Sequence, residues 1–205
     1  KYNMPLMLIK NVLVFFSLFY LTFYLPFVFV AYNPYWINYN CENNQRCSKV
    51  KTEFRVNAVN ELTSYLSHRG ELNTGWQKNE KIHMSEVRHI FDIMFMAALA
   101  SLALVLSIRK DRMSLYKFAI INIVIAIALL LIVPNFKTFW RDVFHPLLFN
   151  NEFWKMSRQD VSYYITPRSF FKLTTIVILS TWMSLNVLIA ASGLILRKGR
   201  PLYQD

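Results

Sequence analysis

Four long apolar stretches, almost free of charge, limit what this chain can fold into. They cover about residues 12–31, 90–108, 118–133 and 170–196. Each reaches or approaches the ~20 residues that a helix needs to cross ~30 Å of hydrocarbon. Within lipid, the backbone amides of each stretch must find their partners inside that stretch, which only a helix allows here. We therefore predict an all-α integral membrane protein with four transmembrane helices.

The net charge of +11 at pH 7 raises the question of a nucleic-acid partner. The basic residues, however, lie beside the apolar stretches and within the polar segments, and they do not form one patch with exposed aromatic residues. Basic flanks are the ordinary state of membrane spans, whereas nucleic-acid binding needs a concentrated basic surface. No nucleic-acid partner is therefore predicted.

Short basic segments next to the spans predict the orientation of the chain. Residues 109–112 connect the second and third stretches, and residues 197–200 follow the fourth. Both are the kind of segment in which an excess of Lys and Arg marks the cytoplasmic side. Lys1 and Lys10 agree with them, so both termini are predicted to be cytoplasmic.

The two longer polar segments, 32–89 and 134–169, are then predicted to form an extracellular cap that is helical and rich in aromatic residues. In the first of them, helical spacing of the apolar residues predicts a helix over 52–67, with Gly70 as its C-terminal stop. The apolar face of that helix consists of Val56, Val59, Leu62, Tyr65 and Leu66. The second segment holds nine aromatic residues, more than an interfacial belt needs, and these can wall a pocket for lipid chains. We treat residues 1–205 as a single membrane domain.

Two cysteines, Cys41 and Cys47, both fall in the first cap segment. A disulfide between them suits an oxidising exterior, and a pair of free thiols is the alternative. Since no metal-ligand spacing accompanies them, a zinc site is not predicted.

Histidines are the residues best suited to chemistry in this sequence. His83 precedes the second span and His145 follows the third, so the two imidazoles are expected on the same side of the membrane. A neutral imidazole can relay protons near pH 7. Interfacial hydrogen bonding and a bis-histidine haem site are the alternatives, although haem ligands in bundles usually lie inside facing helices. Neither a Gly-x-Ser-x-Gly elbow nor an evident cysteine nucleophile is present in the sequence.

Three motifs in the cap segments resemble one known family. Segments 60–66, 83–87 and 144–154 read NELTSYL, HMSEV and FHPLLFNNEFW, and Asp160 and the PRSFF of 167–171 follow them. Their order, their place in the cap and the four-span frame are similar to those of the Gram-positive lipoprotein intramolecular transacylases. There are two departures from the family pattern. Glu86 stands where the family pattern has an aspartate, which keeps the carboxylate, and Tyr163 and Tyr164 stand where aliphatic residues are expected.

The resemblance implies an acyltransferase. Its substrate is a bacterial lipoprotein whose N-terminal cysteine bears a diacylglyceryl group, and the sn-2 acyl chain moves to the α-amine of that cysteine, which gives the lyso-form lipoprotein. The competing hypothesis is a non-enzymatic membrane accessory protein of the same architecture that binds lipids or lipoproteins.

The resemblance also implies the residues of the site. His83 and His145 are the expected catalytic residues. Residues expected to support them or to line the substrate pocket are Glu86, Tyr65, Phe144, Phe149, Trp154 and Asp160. No metal or other cofactor is expected, and the expected partners are diacylglyceryl-modified lipoproteins and membrane lipids. The expected location is the cell membrane of a Gram-positive bacterium, with the active site at the extracellular interface.

Overall fold

A computed structural model describes residues 4–107 and 115–198, and the side chains of 8–107 and 116–195. Within these ranges every regular element is a helix. The α-helices are α1 (Met4–Ala31), α2 (Pro34–Glu42), α3 (Thr52–Leu66), α4 (Lys78–Ser107), α5 (Leu115–Leu130), α6 (Phe136–Thr138), α7 (His145–Leu148), α8 (Val161–Ile165) and α9 (Arg168–Lys198). Two short 3₁₀ turns, Cys47–Lys49 and Val133–Asn135, and a π-helical segment, Phe139–Phe144, complete the described elements.

Four of the described helical stretches are long and apolar enough to cross a membrane, as the sequence predicts. They lie in α1, in α4, in the stretch that begins with α5, and in α9. The chain is thus a multi-pass membrane protein. The helix of the second span, α4, is longer than its apolar stretch because it begins at Lys78 rather than near residue 90. Its 30 residues extend about 45 Å, beyond the ~30 Å of hydrocarbon.

The residues that predict the orientation lie largely outside the described part of the chain. This applies to Lys1, to 109–112 and to the side chains of 197–200. The cytoplasmic location of the termini and the extracellular location of the cap therefore stay predictions. The single membrane domain over 1–205 is likewise a prediction.

The chain divides into two compact units. The span unit comprises residues 1–26, 96–131 and 177–205, and the cap unit comprises residues 27–95 and 132–176. The core of the span unit centres on Trp182, which is fully buried and packs edge-on against Phe19 and Phe23. Its indole nitrogen donates a hydrogen bond of 3.1 Å to Oγ1 of Thr22.

One face of α3 forms much of the core of the cap unit. Val59, Leu62, Tyr65 and Leu66 are buried, as the helical spacing predicts, and Val56 is half-buried. The four buried side chains pack in one apolar cluster with Ile37, Leu72, Trp76 and Ile165, and with others from α4, α8 and α9.

The end of α3 differs from the prediction. The helix ends at Leu66, and the left-handed residue after it is His68 (φ 57°), not Gly70. The N–H groups of Arg69 and His68 donate back to the carbonyls of Ser64 and Tyr65, which is a Schellman motif. Gly70 has a different role, since a Cβ at this position would lie 3.1 Å from the Cβ of Ser64. The glycine permits this close approach.

Cys41 and Cys47 form a disulfide, so the alternative of two free thiols does not describe this structure. The bond joins the last turn of α2 to the first residue of the Cys47–Lys49 turn. The Cα atoms are 5.2 Å apart, within the usual range for a disulfide, and both residues are buried in the cap-unit cluster. Because α2 has only nine residues, a covalent link is an effective way to hold its C-terminal end.

Candidate active site

His83 lies in the second turn of α4 and is 5% exposed. The beginning of this helix is fixed by Glu80, whose carboxylate is 1% exposed. It accepts hydrogen bonds from the backbone N–H groups of Gln77 (3.2 Å), Val161 (3.2 Å) and Ser162 (2.5 Å). Glu80 therefore ties the beginning of α4, and with it His83, to the first turn of α8.

A π-helical turn positions His145. The segment Phe139–Phe144 ends immediately before it, and Pro146 stands at the start of α7, where a missing N–H costs little. The ring Nδ1 lies 2.7 Å from the carbonyl oxygen of Trp140. Because a carbonyl can only accept, Nδ1 must carry the hydrogen, and a neutral His145 then keeps a free lone pair on Nε2. The backbone N–H of His145 donates to the same carbonyl, five residues back, which is the pattern of a π turn and not of an α-helix.

The structure brings the two histidines together inside the cap unit. Their ring centroids are 6.2 Å apart, and His145 is also only 5% exposed. Phe149 contacts both rings, with centroid distances of 4.6 Å to His83 and 5.7 Å to His145. The imidazoles are too far apart for a direct hydrogen bond between ring nitrogens. The spacing allows both of them to reach one small group placed between them.

Aromatic rings surround His145. The rings of Trp154, Trp140 and Phe144 lie at centroid distances of 4.5, 4.6 and 5.5 Å from the imidazole. Phe144, Phe149 and Trp154 thus lie against one or both histidines, and their role in lining a substrate pocket stays a prediction. Stiff, bulky rings of this kind define a confined space and exclude water from it.

Glu86 approaches His83 without forming a hydrogen bond to it. Its Oε2 is 3.5 Å from Nδ1 of His83, and neither atom has a hydrogen-bond partner among the described residues. Its Oε1 accepts a 2.6 Å hydrogen bond from Nδ2 of Asn151. Glu86 thus links α4 to the segment after α7.

Tyr65 and Asp160 have partners other than the histidines. The guanidinium of Arg88 lies 4.1 Å above the ring of Tyr65, and Asp160 accepts a 2.5 Å hydrogen bond from the N–H of Ser157, just before α8. Of the remaining histidines, His68 is exposed and pairs with Asp92 at 2.8 Å, and His89 is exposed. The structure therefore separates His83 and His145 from the other two.

Glu80 and Trp140 are two positioning residues that sequence reasoning did not single out. Trp140 accepts the hydrogen bond from His145 and stacks on Phe171 at 4.5 Å and on Phe144 at 4.7 Å. Its only sequence signal is its place in a dense aromatic segment. Glu80 shows in the sequence only as an acidic residue near the start of a helix, a common feature.

Glu61 of the NELTSYL motif holds the loop after α3. Its Oε2 accepts from the N–H groups of Asn73 (3.0 Å) and Thr74 (2.8 Å) and from the indole N–H of Trp76 (2.9 Å), and Oε1 accepts from the Thr74 hydroxyl. Burial alone raises the pKa of Glu61, but the hydrogen bonds from Thr74, Asn73 and Trp76 outweigh it and hold the pKa below its ordinary value. The motif residue is thus a structural acceptor.

A metal centre is not evident in the described ranges, 4–107 and 115–198. No group of three or more His, Cys, Asp or Glu side chains in them is arranged to hold a metal ion. What the two histidines and their aromatic surroundings can do chemically is to accept, hold and donate protons in a confined space.

Comparisons with known proteins give a family and a fold. No curated protein matches the chain. Among solved structures, the membrane-integral lipoprotein intramolecular transacylase Lit from Bacillus cereus, determined in meso, is 22% identical, with a TM-score of 0.84 over 96% of this chain and 98% of that one. Variants of that protein with a histidine replaced by arginine (22% identity, 96% and 94% coverage) or by alanine (21%, 93% and 93%) match with TM-scores of 0.76 and 0.77. These similarities show the four-span fold.

The family model covers most of the chain and includes both histidines and all three motifs. The model described as "Lipoprotein intramolecular transacylase Lit" matches residues 11–171. On this match, the chain belongs to the Lit family of lipoprotein intramolecular transacylases.

Proposed function

We propose that this protein is an intramolecular transacylase of lipoproteins that uses His145 and His83 as acid–base groups. The observation that supports it most is the pair of buried imidazoles with ring centroids 6.2 Å apart, one of which has its Nδ1 hydrogen bonded to the Trp140 carbonyl. Membership of the Lit family supports the reaction class, acyl transfer on a lipoprotein. The proposed partners are lipoproteins with a diacylglyceryl-modified N-terminal cysteine, together with the surrounding membrane lipids.

The proposed reaction moves the sn-2 acyl chain from a glycerol oxygen to the α-amine of the same cysteine. The amine nitrogen attacks the ester carbonyl carbon, a C–N bond forms, and the C–O bond to glycerol breaks. The nitrogen loses one proton and the glycerol oxygen gains one, so no other reactant is consumed. The product is an N-acyl, S-monoacylglyceryl lipoprotein, the lyso form.

His145 is proposed to transfer that proton. Its Nε2 lone pair accepts the proton from the attacking amine and returns it to the leaving glycerol oxygen. The α-amine has an ordinary pKa of about 7.7–8.0, so a mild base such as imidazole is sufficient. His83 would stabilise the oxyanion or relay the proton.

The aromatic surroundings suit an intramolecular attack. Nucleophile and ester lie in one molecule, and their reaction passes through a roughly eight-membered ring, which a flexible chain rarely closes unaided. Phe149 and Trp154 contact the histidines directly and would hold the substrate folded back on itself. The same side chains would exclude water, which otherwise competes as the nucleophile and hydrolyses the ester.

The proposed location follows from the four spans. An even number of spans places both termini on one side of the membrane, and the basic segments next to the spans favour the cytoplasm for that side. His83 and His145 would then face the exterior, near the headgroups, where the modified cysteine of a lipoprotein lies. We propose the cell membrane of a Gram-positive bacterium as the setting.

Tandem mass spectrometry of a diacylglyceryl lipopeptide tests this proposal. The intact mass cannot report an intramolecular transfer, so the fragments must show an acylated α-amine and a monoacylglyceryl thioether. We expect these fragments with the unaltered protein and a loss of initial rate of at least about 10²-fold in His145→Ala. His89→Ala removes an exposed histidine and is the matched control, expected to retain the rate.

An unmodified lipopeptide in the presence of folded protein, with detergent and lipid varied, would overturn the proposal. Saturable binding of the lipopeptide under the same conditions would then favour the competing hypothesis of a lipid- or lipoprotein-binding accessory protein. Equal rates for His145→Ala and the unaltered protein would retain the transacylase activity but remove the proposed role of His145.

A further inference from the structure

A pocket in the cap unit collects four cationic side chains. Its cavity is about 370 Å³, and the cations are Arg46, Lys137, Arg168 and Lys172. Phe136, which is 3% exposed, contributes an apolar wall, and Ser169 contributes a hydroxyl. The histidines and their aromatic neighbours Phe149 and Trp154 do not line this pocket, so it is separate from the candidate active site.

The four positive charges lack a counter-charge within the described side chains, 8–107 and 116–195. None of the four cations takes part in any of the ion pairs in those ranges, and no Asp or Glu lines the cavity. Arg46 lies 4.2 Å above the ring of Tyr163, which holds the guanidinium without neutralising it. Like charges gathered around one cavity repel one another, and an anion in the cavity relieves that repulsion.

The position of these cations along the chain indicates their depth in the membrane. Lys137 is the first charged residue after the uncharged stretch 118–136, and Lys172 is the last before the uncharged stretch 173–196. Both therefore stand where an apolar segment meets the headgroup region. A cationic pocket at that depth faces a high local concentration of lipid phosphates.

We propose that this pocket binds the phosphate group of an anionic phospholipid. Arginine offers a planar pair of N–H donors that matches phosphate oxygens, and lysine adds a compact charge. Arg168 and Ser169 begin the 31-residue helix α9, and the N-terminal end of a helix carries a partial positive charge that favours an anion. The Ser169 hydroxyl already accepts a 2.8 Å hydrogen bond from Nδ2 of Asn44, so its own hydrogen is free to donate.

The other walls of the pocket favour a lipid over a free ion. Phe136 and two prolines give it apolar surface next to the charges, which suits the glycerol and the first methylenes of the acyl chains. A zwitterionic headgroup would bring its ammonium close to the four cations. The pocket should therefore prefer a phospholipid with net negative charge to one with none.

Native mass spectrometry of the full-length protein in detergent tests this binding directly. The probes are phosphatidylglycerol and phosphatidylcholine with identical acyl chains, titrated separately. We expect a saturable phosphatidylglycerol adduct that phosphatidylcholine does not match, and roughly 30-fold weaker binding in the Lys137→Gln/Arg168→Gln double variant. That factor corresponds to about fivefold for each interfacial cation. Lys172→Gln alone should weaken binding about fivefold.

The matched control is Lys78→Gln/Lys81→Gln, which removes two exposed cations from the beginning of α4, outside the pocket. It should bind phosphatidylglycerol like the unaltered protein, and a thermal unfolding curve for each variant should establish that it is folded. An equal loss of phosphatidylglycerol binding in this control would overturn the proposal, because binding would then depend on general surface charge and not on the pocket. Equal binding of phosphatidylcholine would overturn it as well.

A further arm separates a lipid headgroup from free phosphate. Inorganic phosphate is added at rising concentration to the complex with phosphatidylglycerol, at constant ionic strength. Retention of the lipid supports the proposal. If inorganic phosphate displaces the lipid at concentrations that match its own affinity for the lipid-free protein, the pocket binds a soluble anion and the lipid proposal fails. If the double variant keeps its phosphatidylglycerol but loses affinity for an acidic lipopeptide, the pocket recognises peptide carboxylates, and the lipid proposal fails.

Discussion

In the span unit, the buried polar side chains Asn122 and Asn186 bond to each other, and Asn186 also bonds to its own helix. Nδ2 of Asn122 donates to Oδ1 of Asn186 at 2.8 Å, and Nδ2 of Asn186 donates to the Trp182 carbonyl at 2.8 Å. In the cap unit, by contrast, the buried carboxylate of Glu80 accepts from backbone N–H groups more than 80 positions away in the chain. The two units thus use buried polar groups for different purposes.

The difference follows from the backbone that each unit contains. The long helices of the span unit satisfy their own amides, so a polar side chain adds only a link between helices. The cap unit contains short helices and irregular segments, whose free N–H groups need acceptors. Single carboxylates such as Glu80 and Glu61 provide them. We therefore expect the cap unit to depend strongly on a few residues, and the span unit to depend weakly on each of many.

Glu80→Ala is expected to have the largest effect on stability. It leaves the N–H groups of Gln77, Val161 and Ser162 without their acceptor, which we expect to cost about 3 kcal/mol of local stability. Hydrogen exchange followed by mass spectrometry should show faster exchange in peptides containing Val161 and Ser162, and little change in peptides from the centre of α9.

Glu71→Ala is the matched control because it removes an exposed carboxylate of the same unit. Exchange rates in Glu71→Ala should match those of the unaltered protein. If Glu80→Ala exchanges no faster near α8, or if α9 is affected as strongly, the proposed contrast between the units is wrong.

The asparagine pair tests the span unit. Asn122→Leu leaves Oδ1 of Asn186 without its donor and should lower the free energy of unfolding by about 1 kcal/mol, the usual size for a hydrogen bond between membrane helices. The double variant Asn122→Leu/Asn186→Leu removes both partners and should lose less than the sum of the single variants. Unfolding in mixed detergent micelles measures all four proteins. A loss of several kcal/mol in a single variant would mean that the span unit, like the cap unit, depends strongly on single residues.

The contrast between the units also explains what the sequence can predict. The four spans are predictable because lipid imposes length and low charge on each of them. The helix α3 is predictable from the spacing of its apolar residues, although its end is not, because His68 adopts a left-handed conformation that favours glycine or asparagine. The sequence alone does not decide between a disulfide and two free thiols. A separation of six residues between the cysteines says nothing about the redox environment.

The candidate site is predictable only in part. The motifs select His83 and His145, but their proximity depends on how the segment after α5 returns to the beginning of α4. The acceptor for the Nδ1 hydrogen of His145 depends on a π turn, for which the sequence has no clear signal. Glu80 acts on residues far along the chain, and such a contact is a property of the tertiary fold and not of local pattern.

The smallest expected effect is a pH dependence in the cap unit that arises from Glu61. Hydrogen bonds hold its pKa below the ordinary value of 4.5, so the charged form contributes stability. That contribution is fully present above pH 4.5 and is lost as the pH falls through the lowered pKa of the folded state. Glu61→Gln should remove it at every pH. The difference in stability between the two proteins should therefore be largest near neutral pH and shrink below pH 4.5.

Hydrogen exchange of the loop containing Asn73 and Thr74, corrected for the intrinsic pH dependence of exchange, measures this difference. A difference that stays constant from pH 7 to pH 3 would mean that the hydrogen bonds of Glu61 do not depend on its charge.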